Sequence, residues 1–119
     1  MINRVHECDP FLKPYIEALL ERKCLDPVLL DIRGMASYAD ALLISSAKSN
    51  RQVKAIAEHI HRTLKKQCIK AFHIEGLQEG HWVLMDYGDV VIHIFYEPQR
   101  KFYDLEGLWN DVDAIILED

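Results

Sequence analysis

Residues 82–86 and 90–95 constrain this chain more than any other stretch. Both runs are rich in β-branched and aromatic side chains, and the segment Asp86-Tyr87-Gly88-Asp89 that joins them has turn chemistry. Gly88 is free to take the positive φ that a tight turn demands. The pattern predicts a hairpin. Alternation sends Trp82, Leu84 and Asp86 to one face and Val83 and Met85 to the other. On the second strand Val90, Ile92 and Ile94 oppose Val91, His93 and Phe95. Apolar residues therefore occupy both faces, so the hairpin belongs inside a sheet that is covered on both sides, or covered on one and docked to a partner on the other.

The rest of the chain predicts an α/β domain around that hairpin. A first helix is expected over residues 9–23, with Asp9 as N-cap, Pro10 at the first helical position and Phe11, Tyr15, Ala18, Leu19 and Arg22 on its inner stripe. Pro14 leaves the true start open. Asp26-Pro27 breaks that pattern, residues 28–32 form an apolar strand, and residues 41–46 form a second buried one. Ser49 and Gln52 have capping-box spacing, and Val53, Ile56, Ala57, Ile60 and Leu64 recur behind them at helical period. A short strand over 71–75, a short helix from Glu97-Pro98 to about Tyr103 and a last turn or two over 104–109 follow. The apolar tail 114–117 is expected to dock on its own sheet edge or on another copy. This order gives one domain over 1–119, with a mixed sheet and packed helices and no strand order yet defined.

Composition narrows the function. The 119 residues carry a formal charge of −5, whereas a protein that grips nucleic acid through phosphates is expected to be basic. An acidic chain more naturally meets a basic protein, so no primary nucleic-acid contact is expected. Cys8, Cys24 and Cys68 are odd in number and scattered, which fits reduced thiols and not a disulfide frame or zinc site. No apolar run approaches the ~20 residues of a membrane span, so a cytoplasmic protein is expected.

Catalytic chemistry finds little support. Asp31, Asp40, Asp86 and Asp89 stand at expected strand ends, where a metal-dependent transferase could gather carboxylates. Asp86 and Asp89, however, are three apart across a turn, and Gly34 is followed by Met35 and Ala36 instead of a phosphate cradle. Turn, cap and surface roles are expected for them. His59 and His61 are two apart on a helix and cannot chelate from one face. His73, His81 and His93 lack a Cys or Glu partner at metal spacing and are expected to be partly buried structural residues. Ser45, Ser46 and Ser49 show no nucleophile pattern. Neither a cofactor, a metal nor a catalytic residue is expected. Phe102, Leu105, Leu108 and Trp109 read as core, whereas Tyr87 at the hairpin tip is expected to be exposed.

Taken together, Asp31-Ile32-Arg33-Gly34, Ala39-Asp40, the segment from Ser49 to Ala57, Glu75-Gly76, the hairpin from Gly80 to Phe95, and Arg100-x-x-Tyr103-Asp104-Leu105-Glu106 through Trp109 resemble the Iojap-like ribosomal silencing factor family (RsfS). The resemblance runs over about 11–111. It implies a nucleotidyltransferase-like fold without a retained transferase activity. It also implies binding to the large ribosomal subunit through its protein fourteen, which blocks joining of the small subunit and lowers translation under nutrient limitation. Self-association as a homodimer is implied too. The alternatives are a nucleotidyltransferase-fold enzyme and an RNA-binding ribosome assembly module. With that resemblance, the aromatic and acidic hairpin gives an expected partner-binding patch of Trp82 and Tyr87, supported by Asp86, Asp89, Arg100 and Tyr103.

Overall fold

A computed structural model describes residues 10–117. The expected N-cap Asp9, and Cys8 with it, lie outside the described residues. The chain opens with a 3₁₀ turn at Pro10–Leu12 and then helix α1, Lys13–Leu20. Pro14, in the first turn of α1, explains the late start. It has no N–H to give, and its ring clashes with the carbonyl four residues back, so a regular helix cannot run through it from Pro10. Tyr15, Ile16, Ala18 and Leu19 are buried on α1, but Phe11 and Arg22 are exposed, contrary to the expected stripe.

Among the described residues six strands form one mixed sheet: β1 (Leu25–Asp31), β2 (Ala41–Ala47), β3 (His73–Glu75), β4 (Trp82–Asp86), β5 (Val90–Tyr96) and β6 (Ala114–Ile116), in the spatial order β3-β4-β5-β2-β1-β6. Strands β2 and β5 pair in parallel, Leu43 beside Ile92, and all other pairs are antiparallel. These two strands are buried almost throughout, which matches their near-continuous apolar sequences and their place mid-sheet. Both edges are three-residue strands, β3 and β6, too short to template further pairing. The tail docks on its own sheet edge, where β6 pairs with β1 and the Leu117 amide donates to the Pro27 carbonyl at 3.0 Å.

Helix α2, Asn50–Lys66, starts where its cap predicts: the Gln52 amide donates to Ser49 Oγ at 3.1 Å. The Gln52 side chain reaches back to the Lys48 amide, also at 3.1 Å, one residue before the position a strict capping box would use. Its stripe Val53, Ile56, Ala57, Ile60 and Leu64 is buried with α1 against one sheet face, together with Leu43, Val83, Met85, Ile92 and Ile94. The opposite face gathers Val28, Leu30, Leu42, Ile44, Val91 and Phe95. It is covered only in part, by the loop residues Ala36 and Ala39, by Tyr103 of α3 (Glu97–Tyr103) and by a 3₁₀ turn at Leu105–Trp109. Among the described residues no helix is long and apolar enough to cross a membrane.

Candidate functional site

The incompletely covered face is where the sheet meets solvent through apolar side chains. Strand pairing sets Trp82 opposite Phe95, Glu75 beside Leu84 beside His93, and His73 beside Asp86 beside Val91. The inner members of these rows, Val91, His93 and Phe95, are buried, whereas Trp82 and Leu84 are half-buried and Glu75 is exposed. The helix α3 adds Phe102 and Tyr103, 79% and 50% exposed, and in the following turn Leu108 is 75% exposed. Phe102 and Leu108 were expected in the core. The seven-residue α3 buries none of its residues, and Phe102 and Tyr103, adjacent on a helix, point about 100° apart. Tyr103 turns to Trp82, so Phe102 is left to solvent.

Trp82 is the centre of the cluster. Its ring stacks on Phe95 with centroids 4.9 Å apart and lies 4.7 Å from Tyr103, which in turn meets Phe102 edge-on at 5.2 Å. The indole Nε1–H donates to His93 Nδ1 at 3.0 Å. An Nδ1 that accepts requires a neutral imidazole with its proton on Nε2. Burial secures that state by pushing the His93 pKa down to about 4. Gly76 sits against the same strand with φ +83°, where a Cβ would overlap the Trp82 carbonyl oxygen, so the loop before β4 closes directly over this residue.

The buried neutral histidine has a consequence for stability. His93 binds its proton more readily in the unfolded chain, at the ordinary value of 6.5, than in the folded one. Stability therefore rises with pH between about 4 and 6.5, and acidification through that window should remove up to about 3 kcal/mol, at no more than ~1.4 kcal/mol per pH unit. Urea unfolding of the parent and of His93→Asn at pH 7, 6, 5 and 4 checks this. The parent curve should fall relative to the variant, and parallel curves would refute it.

The expected patch is not brought together as one surface. Tyr87 is 6% exposed and lies on the other side of the sheet, with α1, where its ring meets Tyr15 edge-on at 5.5 Å. It was expected at a solvent-exposed tip. The first helix instead closes over that end of the hairpin, and desolvation pushes the Tyr87 hydroxyl up to about 12. Arg100 is engaged within the chain: Nε and Nη2 donate to Glu106 at 2.9 and 3.1 Å, and Nη1 donates to the Leu25 carbonyl and to Ser46 Oγ at 3.2 and 3.1 Å. This clamp ties α3 and its following turn to the ends of β1 and β2. Asp86 accepts from the Gly88 amide at 2.8 Å and shapes the turn, in which Gly88 has φ +89°. Asp89 is exposed and gives its carbonyl to the Asp40 and Ala41 amides, at 2.8 and 3.1 Å. Of the expected six, the cluster around Trp82 thus keeps Trp82 and Tyr103 and has Asp86 at its border. Leu84, Phe102 and Glu75 join them; only Leu84 was signalled in sequence, by sharing Trp82's alternation.

Three of the four candidate carboxylates share one cleft, which Asp86 does not line. Asp31 is held by Arg33, whose Nη2 donates at 2.8 Å and lowers the carboxyl pKa below its ordinary value. Asp40 and Asp89 border the same cleft as Asp31, beside Phe11. Among the described residues no three His, Cys, Asp or Glu side chains converge with the geometry to hold a metal ion. His93 is buried as expected of a structural histidine, whereas His73 and His81 are exposed.

Comparison with known proteins gives this geometry its context. The family model described as "Ribosomal silencing factor during starvation" matches residues 6–119. The ribosomal silencing factor RsfS of Bacillus subtilis is 39% identical over 107 residues, which cover 90% of this chain and 91% of that protein. The chloroplastic protein Iojap of Zea mays is 33% identical over 111 residues, covering 93% of this chain and 48% of that longer protein. The crystal structure of a Chromobacterium violaceum protein superposes with a TM-score of 0.79 at 39% identity, covering 82% of each chain. A family match across nearly the whole sequence and a shared sheet architecture agree, and this chain belongs to the ribosomal silencing factor (RsfS) family.

Proposed function

We propose that this protein represses translation by binding the large ribosomal subunit through its protein fourteen and standing where the small subunit docks. The observation that carries the reading is the apolar cluster of half-buried Trp82 and Leu84 with exposed Phe102 and Tyr103, bordered by Glu75 and Asp86 on a chain of net charge −5. Solvent-exposed aromatic side chains with a polar border are the usual centre of a protein interface. The acidic border suits a basic ribosomal protein, where it raises the association rate and fixes orientation. The role is steric and not catalytic, so the nucleotidyltransferase-like fold implied by the family resemblance serves as a scaffold. Self-association belongs to the same reading, because a second copy that covered this face would compete with the ribosome for it.

Sedimentation tests it. Added protein should travel with isolated large subunits, leave small subunits alone and shift joined ribosomes toward free subunits. Selective travel with small subunits, or no effect on joining, would sink the proposal.

A further inference from the structure

The Trp82 indole has one polar atom, and the fold uses it internally. Its Nε1–H donates to His93 Nδ1 at 3.0 Å, and the two rings lie 5.9 Å apart across neighbouring strands. Without that bond the indole could turn over about its side-chain axis between Phe95 and Tyr103, since stacking alone does not distinguish the two edges of the ring. His93 itself is fixed: it is 5% exposed, paired with Leu84 on one side and Ile44 on the other, in the row that runs through the middle of the sheet.

We propose that His93 is the positioning residue of this face, holding the Trp82 indole in one orientation with its N–H turned inward, so that a docking protein meets a preset carbon surface. The proposal rests on the function proposed above and deepens it. Two consequences follow from the geometry. The partner gains no hydrogen bond from Trp82 and must offer apolar or cationic surface to it. The anchor is also ordered before the encounter, so binding loses less side-chain freedom than a mobile indole would. The neutral state of His93 in its buried setting keeps Nδ1 available as the acceptor.

The test uses the full chain and three variants: His93→Phe, which keeps a ring but removes the acceptor; His93→Asn, whose Oδ1 restores an acceptor near the Nδ1 position; and Trp82→Ala. The indole ¹H–¹⁵N resonances report the bond in the free protein, Trp82 being distinguished from Trp109 by its loss in Trp82→Ala. In the parent, the Trp82 indole proton should be shifted downfield and protected from solvent exchange. His93→Phe should abolish both signatures and weaken binding to isolated large subunits about tenfold, roughly the worth of one buried hydrogen bond in orientation. His93→Asn should restore the signatures and most of the affinity. A parent indole that exchanges freely overturns the proposal without any variant. Equal losses in His93→Phe and His93→Asn overturn it as well, because a role in plain packing would predict them. If Trp82→Ala loses binding while His93→Phe keeps it, the positioning role fails and the face stands. If Trp82→Ala itself binds like the parent, the face is wrong and the positioning role falls with it.

Discussion

Trp82→Ala is expected to weaken binding to the large subunit by about 30-fold or more, the loss of ~2 kcal/mol that accompanies truncation of a central aromatic anchor. The substitution also removes the stacking partner of Phe95 and Tyr103, so the variant's thermal midpoint must be measured beside its affinity. Two companion changes separate the effects. Phe102 and Leu108 are 79% and 75% exposed, and replacing either by Ala should alter stability by no more than about 0.5 kcal/mol. If they border the docked partner, Phe102→Ala and Leu108→Ala should nonetheless lower affinity. Parent-like binding in all three variants would place the contact elsewhere on the molecule.

Tyr87→Ala should do the reverse, with a large loss of stability and no direct loss of contact. Tyr87 is 6% exposed, wedged against Tyr15 beneath α1, and its truncation leaves an aromatic-sized cavity worth about 3 kcal/mol or more. For a chain of this size the thermal midpoint should drop by more than about 10 °C. Tyr87→Phe sharpens the test. The Tyr87 hydroxyl is buried and has no hydrogen-bond partner among the described residues. Removing it should therefore be neutral or stabilising by up to about 1 kcal/mol, since an unsatisfied buried hydroxyl costs desolvation with no return. A Tyr87→Phe variant that unfolds readily, or a Tyr87→Ala variant as stable as the parent, would show that this residue is not the core element described here.

Sequence and structure part company at particular residues, for physical reasons. The helix α2 was legible throughout, because its cap at Ser49 and its stripe from Val53 to Leu64 act within one helix and need no partner to be recognised. The hairpin was equally plain: alternation and the turn at Gly88 are local properties of a dozen residues. The family was legible too, since its motifs are strung along the chain in order. The buried histidine in β5 also followed from sequence, although its bond to the Trp82 indole did not.

What only the tertiary structure decided is which groups share a surface. Trp82 and Tyr87 are five residues apart, and strand alternation would set them on opposite faces; the turn hid that parity, because alternation lapses where the strand ends. The aromatic core of the hairpin end was then settled by Tyr15, 72 residues away in sequence and invisible to any local pattern. Arg100 was expected to support the partner-binding patch, whereas the fold surrounds it with Glu106, Ser46 and the Leu25 carbonyl. In α3 and the turn after it, seven and five residues are too few for a period to name a buried side, so Phe102 and Leu108 read as core and emerged as surface. The sequence by itself determined the order of the elements and the family, since capping, alternation and turn chemistry are short-range. The strand order, the parallel seam of β2 on β5 and the composition of the exposed face depended on contacts between distant segments, whose choice is a property of the packed whole.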